Sequence, residues 1–142
     1  MTTFLGDTPP PVDARDWRIS LSGRIERPLD VDLAGLRAIG RTEATAILDC
    51  TSGWAIETTW SGTTLGALLD TAGLARDARS VTIRSATGWT AQLPVDEARG
   101  CLLATHVAGV PLPVSNGAPV RLVAPDRRGL DWVKWVRELV VY

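Results

Sequence analysis

Apolar and polar residues alternate over several short stretches of the chain, which is the pattern of half-buried β-strands. The first stretch covers residues 17–23 and ends in a glycine, and we expect the sheet to continue through residues 24–29. The same reasoning predicts strands at residues 45–49, 80–85, 89–93, 101–106, 120–124 and 136–142. Residues 86–88 are predicted to turn one strand back on the next as a hairpin.

Helical periodicity is limited to three segments. Residues 62–72 carry leucines at helical spacing and precede Gly73, which we expect to end a helix. Residues 32–39 show the same spacing behind an acidic start, and residues 95–99 are long enough for one helical turn. Because strands outnumber helices and do not alternate regularly with them, the predicted class is α+β with a mixed, strand-rich core.

The chain length favours one domain. The sequence has 142 residues, and we assign residues 17–142 to that domain and residues 1–16, with three consecutive prolines, to an extended N-terminal arm. The formal net charge is -1, which argues against a nucleic-acid partner. Apolar runs fall far short of the roughly 20 residues of a membrane span. Without features of a leader peptide, we expect a soluble protein, with the cytoplasm favoured.

The residues available for catalysis are few. The single histidine, His106, lies in an apolar run, where a hydrogen-bonded structural role is expected, and Cys101 is expected to be a small buried residue. Cys50 instead closes a predicted strand before residues 51–53, which must leave the sheet. A thiolate there can bind a soft metal, although an inert buried cysteine is the alternative. A zinc site formed by Cys50, Cys101 and His106 is a further alternative.

Basic residues concentrate near turns in the last quarter of the chain. Arg121, Arg127, Arg128 and Lys134 lie among glycines, prolines and tryptophans, and Lys134 is the one lysine of the sequence. Such a combination can hold a phosphate by charge and by backbone N–H donors. The alternative is a solvated basic turn, with the tryptophans in the core.

An ordered set of motifs covers nearly the whole chain after Asp16 and resembles the molybdopterin-binding domain of the sulfite oxidase family. A strand ends in Leu-Asp-Cys-Thr-Ser-Gly-Trp at residues 48–54. The other motifs are Trp-x5-Gly at 17–23, Trp-Ser-Gly-Thr-Thr-Leu at 60–65, Leu-Leu-Ala-Thr at 102–105, Gly-Val-Pro-Leu-Pro at 109–113, Asn-Gly-Ala-Pro-Val-Arg-Leu-Val-Ala-Pro at 116–125 and Trp-Val-Lys-Trp at 132–135.

The resemblance implies a molybdenum-molybdopterin cofactor and a set of residues that holds it. Cys50 matches the cysteine that binds molybdenum, and a thiolate suits that soft metal. Trp132 and Val133 would act through their backbone and Lys134 through its charge. The implied cofactor-binding set is Ser85, Asn116, Arg121, Trp132, Val133 and Lys134.

The implied activity is that of an oxidoreductase performing two-electron oxygen-atom transfer on a small sulfur or nitrogen oxide. Arg127 and Arg128 are candidates for attracting an anionic substrate. Since the sequence shows no haem or cluster ligands, an external electron-transfer partner such as a haem protein is expected. The alternative function is a binding or scaffold protein that keeps this fold without the cofactor.

The sequence departs from the family pattern at both ends. Longer members carry another pterin-contacting segment ahead of the position of Trp17, of which Phe4 is the one counterpart that we identify here. The C-terminal dimerisation domain of the sulfite oxidases proper has no counterpart before Tyr142. The dimer of those proteins is therefore not an expectation for this chain.

Overall fold

Ten strands form two sheets in the computed structural model, which describes residues 14–49, 55–113, 117–125 and 132–142. The strands are β1 (Arg18–Gly23), β2 (Leu29–Asp32), β3 (Thr42–Asp49), β4 (Ala55–Thr64), β5 (Ser80–Ser85), β6 (Thr90–Pro94), β7 (Leu102–Val107), β8 (Val110–Pro111), β9 (Arg121–Val123) and β10 (Val136–Val141). The helices described are α1 (Leu33–Ile39), α2 (Leu65–Ala72) and α3 (Val95–Arg99), besides a 3-10 turn at Ala14–Asp16.

The first sheet has the strand order β2-β1-β10-β5-β6. Its central strand is β10, which runs parallel to β1 and antiparallel to β5. The indole of Trp17 donates a hydrogen bond of 2.9 Å to the carbonyl of Val136 and thereby ties the start of β1 to the start of β10. The last strand of the chain thus lies in the middle of this sheet.

The second sheet has the order β3-β4-β7-β8, and β9 also pairs with β7. Its longest strand is β4, which is antiparallel to both β3 and β7. At Gly62 the backbone of β4 lies so close to β7 that a Cβ atom would overlap the carbonyl of Leu103. A glycine at this position therefore permits the close approach of the two strands.

Side-chain caps fix where the helices begin. The Asp32 carboxylate accepts a hydrogen bond from the N–H of Gly35 at the start of α1, and the Thr64 hydroxyl accepts one from Ala67 at the start of α2. At the other end of α2 the N–H of Gly73 donates to the carbonyl of Leu69. No helix within the described ranges is long and apolar enough to cross a membrane.

The two sheets meet where β9 lies beside the segment that leads into β10. The N–H of Leu122 donates to the carbonyl of Val133 at 2.8 Å, and the N–H of Val136 donates to Val120 at 3.0 Å. The chain on both sides of this junction is buried. The junction therefore holds the motifs at residues 116–125 and 132–135 against each other.

The structure confirms the mixed, strand-rich α+β class but corrects the start of the predicted helix at residues 62–72. Its first three residues belong to β4, since that strand pairs with β7 as far as Thr64. The helix begins at Leu65 and ends before Gly73, as predicted. The sequence pattern did not predict strand β4, which the structure shows at Ala55–Thr64.

One prediction near the N-terminus also differs from the structure. Residues 24–28 do not continue the first strand, because the chain turns after Gly23 and the next strand begins at Leu29. An isolated β-bridge joins Ile25 of this turn to Leu74, which follows α2. Of the arm expected to be extended, the described part is the 3-10 turn Ala14–Asp16, and residues 1–13 lie outside the described ranges.

Candidate functional site

Arg121 is the most deeply buried charged residue at the junction, with 0% of its surface exposed. Its Nη2 donates a hydrogen bond of 3.2 Å to the carbonyl of Trp132. The guanidinium carbon lies 5.4 Å from the ring centre of Trp60 and 5.6 Å from that of Trp132, both within cation–π range. The two rings pack edge to face with their centres 5.5 Å apart. Two tryptophans thus fix the position of the guanidinium.

Lys134 is the second buried cation of the junction, with 3% of its surface exposed. Its Nζ lies 5.5 Å from the ring centre of Trp135. Trp135 has a φ of 50°, which a bulky residue seldom adopts. Backbone conformations of this kind cost free energy and concentrate at functional sites.

Gly117 connects the two cations. A Cβ atom at this position would lie 2.8 Å from Cβ of Arg121 and 3.3 Å from Cβ of Lys134. Since Gly117 also has a φ of 111°, glycine is favoured here both by space and by backbone conformation. We call Gly117, Arg121 and Lys134 the cationic cluster.

Ser85 ends β5 beside the same segment and is also buried. Its hydroxyl oxygen accepts a hydrogen bond from the N–H of Thr87 at 3.1 Å. The N–H of Ala86 donates to the carbonyl of Trp135 at 2.8 Å, and Ser85 is the register partner of Val136. The turn after β5 is therefore attached to the segment that carries Lys134.

The cationic cluster is chemically suited to an anionic group. Taking a guanidinium or an ammonium out of water costs several kcal/mol, which hydrogen bonds and an opposite charge offset. A phosphate can accept bonds from both groups and from nearby backbone N–H donors. The donor set thus fits the phosphate of a molybdopterin, whereas a solvated basic turn, the alternative interpretation of this region, does not fit side chains that are buried.

The structure brings together five of the residues that the sequence resemblance implied as a cofactor site. These are Ser85, Arg121, Trp132, Val133 and Lys134, which lie on three segments joined by the hydrogen bonds given above. The other two implied residues, Cys50 and Asn116, lie outside the described residues, as do Arg127 and Arg128.

Trp60 and Gly117 were not singled out as site residues, although both fall within quoted motifs. Trp60 lies on β4 and contacts Arg121 from a part of the chain that is distant in sequence. The motif Trp-Ser-Gly-Thr-Thr-Leu contains it, and a large aromatic residue in an otherwise Thr-rich strand was the available signal. Its role as a support for the guanidinium depends on tertiary contacts.

The described members of the alternative zinc site are far apart. Cys101 is buried, and its Sγ lies 3.5 Å from the carbonyl of Glu97, as expected for a small buried residue. His106 Nδ1 lies 2.8 Å from the hydroxyl of Thr105, so the expected hydrogen bond is confirmed, but the residue is partly exposed. The two residues are five positions apart along extended chain, which separates them by roughly 16 Å. They cannot ligate one ion.

Comparison with known sequences identifies the family of this chain. The sequence profile described as "Oxidoreductase molybdopterin binding domain" matches residues 5–142. The chain belongs to this family, and the predicted resemblance to the sulfite oxidase family and to its molybdopterin cofactor is confirmed. It is a molybdopterin-binding oxidoreductase domain.

Particular relatives match over most of the chain. "Uncharacterized oxidoreductase YuiH" of Bacillus subtilis (strain 168) is 30% identical over 135 residues, which cover 93% of this chain and 68% of that protein. "Protein-methionine-sulfoxide reductase catalytic subunit MsrP" of Xanthomonas campestris pv. campestris is 31% identical over 141 residues, covering 87% of this chain and 44% of the relative.

A solved structure confirms the fold. The sulfane dehydrogenase SoxCD from Paracoccus pantotrophus superimposes with a TM-score of 0.89 at 26% sequence identity. The match covers 94% of this chain and 40% of that chain. The chain therefore spans less than half the length of MsrP and of the SoxCD chain, while it spans about two thirds of YuiH.

Proposed function

We propose that this domain holds a molybdenum-molybdopterin cofactor at the junction of the two sheets and catalyses two-electron oxygen-atom transfer on a small substrate. The observation that carries the proposal is the burial of Arg121 and Lys134 around one glycine turn. Membership of the molybdopterin-binding family supplies the identity of the ligand. When bound, the cofactor supplies the two-electron redox chemistry at its metal.

Arg121 and Lys134 hold the phosphate of the pterin in this proposal. The guanidinium is oriented by Trp60 and Trp132 before the ligand arrives, so little conformational entropy is lost on binding. Trp132 and Val133 bind through their backbone, and Ser85 and Asn116 contribute polar contacts. Burial excludes water from the phosphate and strengthens each charge-assisted hydrogen bond.

Cys50 is the proposed molybdenum ligand and the catalytic residue of the domain. The described strand β3 ends at Asp49, directly before it, and strand β4 resumes at Ala55. Asp49 and Ala55 are register partners, so the two strands are antiparallel neighbours up to these residues. The thiolate of Cys50 has the ligand softness that molybdenum requires.

The substrate and the electron-transfer partner follow from the same proposal. We infer a small substrate, which the positive charge of Arg127 and Arg128 would attract, with no nucleic-acid partner and no membrane span. The sequence has one histidine and two cysteines, and Cys101 is buried. We therefore assign the second electron carrier to a partner outside this domain, such as a haem protein.

Metal and pterin content test the proposal directly. The protein should be produced in a host that makes the cofactor, and molybdenum and pterin measured for the wild type, Cys50→Ser and the control Cys101→Ala. We expect near-stoichiometric molybdenum and pterin in the wild type and in Cys101→Ala. Cys50→Ser should lose the metal or its activity.

Two results would contradict the proposal. Folded wild-type protein without molybdenum or pterin would favour the alternative of a cofactor-free binding or scaffold protein. Equal metal content and activity in the wild type and Cys50→Ser would remove Cys50 from the site. Circular dichroism of each preparation shows whether the variant is folded.

A further inference from the structure

A cavity of about 310 Å³ lies next to the cationic cluster but does not include it. Ligand pockets in proteins have volumes of about 300–1,000 Å³, so this one can take a small molecule. Ala118 and Pro119 line the cavity, whereas Gly117 of the same turn packs against Arg121 and Lys134. The turn 117–119 therefore separates the cavity from the proposed cofactor site.

The inner wall of the cavity is apolar. Leu33 and Leu36 of α1 form one side, and Leu112 forms another with Ala118 and Pro119. Leu36 and Leu112 are buried, and both belong to the hydrophobic core. An aliphatic group placed against this wall would be removed from water, which favours its binding.

The rim of the cavity is positively charged. Arg37 and Arg41 line it from the C-terminal end of α1, and both are exposed. Within the described part of the chain neither forms an ion pair, whereas four other exposed arginines and the partly buried Arg99 each contact a carboxylate. Among the described lining residues there is no acidic side chain. The rim thus presents two cations that have no carboxylate partner among the described residues.

Hydrogen bonds hold the polar side of the cavity in place. The Thr63 hydroxyl lies 2.9 Å from the carbonyl of Leu36 and 2.8 Å from that of Gly40, which anchors the end of α1 on β4. Thr105 orients the imidazole of His106 through its 2.8 Å contact with Nδ1. The arginines are therefore mounted on an anchored helix end, beside an oriented imidazole.

We propose that this cavity binds a small organic anion, a carboxylate on a short aliphatic chain. The carboxylate pairs with Arg37 and Arg41 at the rim, since a guanidinium matches its geometry with two parallel hydrogen bonds. The aliphatic chain packs on the leucines. This site goes beyond the proposed redox function, because none of its described residues belongs to the cationic cluster.

Calorimetric titration with octanoate tests the proposal. We expect saturable binding of one octanoate per chain at low ionic strength. 1-Octanol supplies the apolar chain without the charge, and inorganic phosphate supplies charge without the chain. Each should therefore bind more weakly than octanoate, by a factor of about 10 or more. The double variant Arg37→Gln, Arg41→Gln should weaken octanoate by about 10-fold, since each lost contact involves a charged but exposed group.

Arg24→Gln is the matched control, because Arg24 is also exposed but pairs with Asp77 elsewhere. It should leave octanoate affinity unchanged. Backbone amide NMR shifts should move at His106 and Leu112 on titration. Absence of saturable binding, equal affinity for 1-octanol, or unchanged affinity in the double variant would overturn the proposal. Since no readout needs molybdenum or pterin, the outcome is independent of the proposed cofactor function.

Discussion

Cationic side chains occur in two contrasting environments in this domain. At the junction of the sheets, Arg121 and Lys134 are buried against tryptophan rings. On the surface, arginines are paired with carboxylates, as where Arg99 contacts both oxygens of Asp70 at 2.8 and 3.1 Å. The exposed pair is screened by water and contributes little to stability. The buried cations carry a desolvation cost that an exposed pair avoids.

The contrast indicates that the buried cations of the junction serve ligand binding at a cost in stability, whereas the surface ion pairs do not. An exposed arginine next to a carboxylate needs no ligand, and its removal changes little. A buried guanidinium held by aromatic rings is organised in advance to bind an anion. Substitutions in the two regions should therefore differ in what they change: ligand retention at the junction, and at most pH-dependent stability on the surface.

Gly117→Ala should have the largest effect on stability, because it overfills the cationic cluster. The new Cβ would lie 2.8 Å from Cβ of Arg121 in a backbone with a φ of 111°. Strain and overpacking together should lower the free energy of unfolding by about 2–4 kcal/mol. Urea denaturation of the cofactor-free protein measures this change.

Gly88→Ala is the matched control for backbone strain. Gly88 also has a positive φ, of 94°, but a Cβ there would meet no atom within 4 Å. We expect a loss of about 1–2 kcal/mol from strain alone. If the free energy of unfolding falls equally in both variants, the packing of Gly117 against the two cations does not contribute to the loss of stability.

Ser85→Ala should have an intermediate effect. It leaves the N–H of Thr87 without the Ser85 hydroxyl as acceptor and should cost about 1 kcal/mol in the cofactor-free protein. Thr87→Val keeps that backbone bond and removes an exposed hydroxyl together with its 3.0 Å hydrogen bond to the Ser85 hydroxyl, so its cost should be smaller. A larger loss in Thr87→Val than in Ser85→Ala, measured by the same denaturation, would show that Ser85 does not organise the turn.

Asp70→Asn should have the smallest effect, and that effect should depend on pH. A hydrogen bond from Arg99 is the main cause that lowers the pKa of Asp70 below its ordinary value of 3.8. A lowered folded-state pKa contributes stability above the ordinary pKa, and this contribution is lost as the pH falls through the lowered value. The wild type should therefore exceed Asp70→Asn in urea midpoint at pH 7, and the difference should shrink as the pH falls below 3.8. A difference that persists in acid would contradict this account.

Local signals made some elements predictable and left β4 undetected. The start of α1 could be predicted because Asp32 caps it, and the end of α2 because Gly73 follows its last turn. Strand β4 lacks alternation because residues 60–63 are buried without interruption, so both of its faces are covered there. Since a strand covered on both faces has no period of two, Gly62 was assigned to the following helix instead.

The candidate site could also be predicted only in part. The charge of Arg121 and Lys134 near turns was evident from sequence, and the family motifs named them as cofactor residues. Their burial was not predictable, because arginine and lysine are exposed in most proteins. The support from Trp60 depends on the pairing of β4 with β7, which joins residues far apart in sequence.

Cofactor retention in Arg121→Met tests the central claim most directly. Methionine keeps apolar bulk beside the tryptophans, and replacing a buried charge by an apolar side chain is often neutral or stabilising in the ligand-free protein. Arg84→Met is the matched control, because Arg84 is exposed and paired with Glu138. Molybdenum and pterin content after dialysis should fall about 10-fold or more in Arg121→Met and stay at the wild-type level in Arg84→Met. Wild-type cofactor content in a folded Arg121→Met protein would contradict the assignment of the cationic cluster to the phosphate.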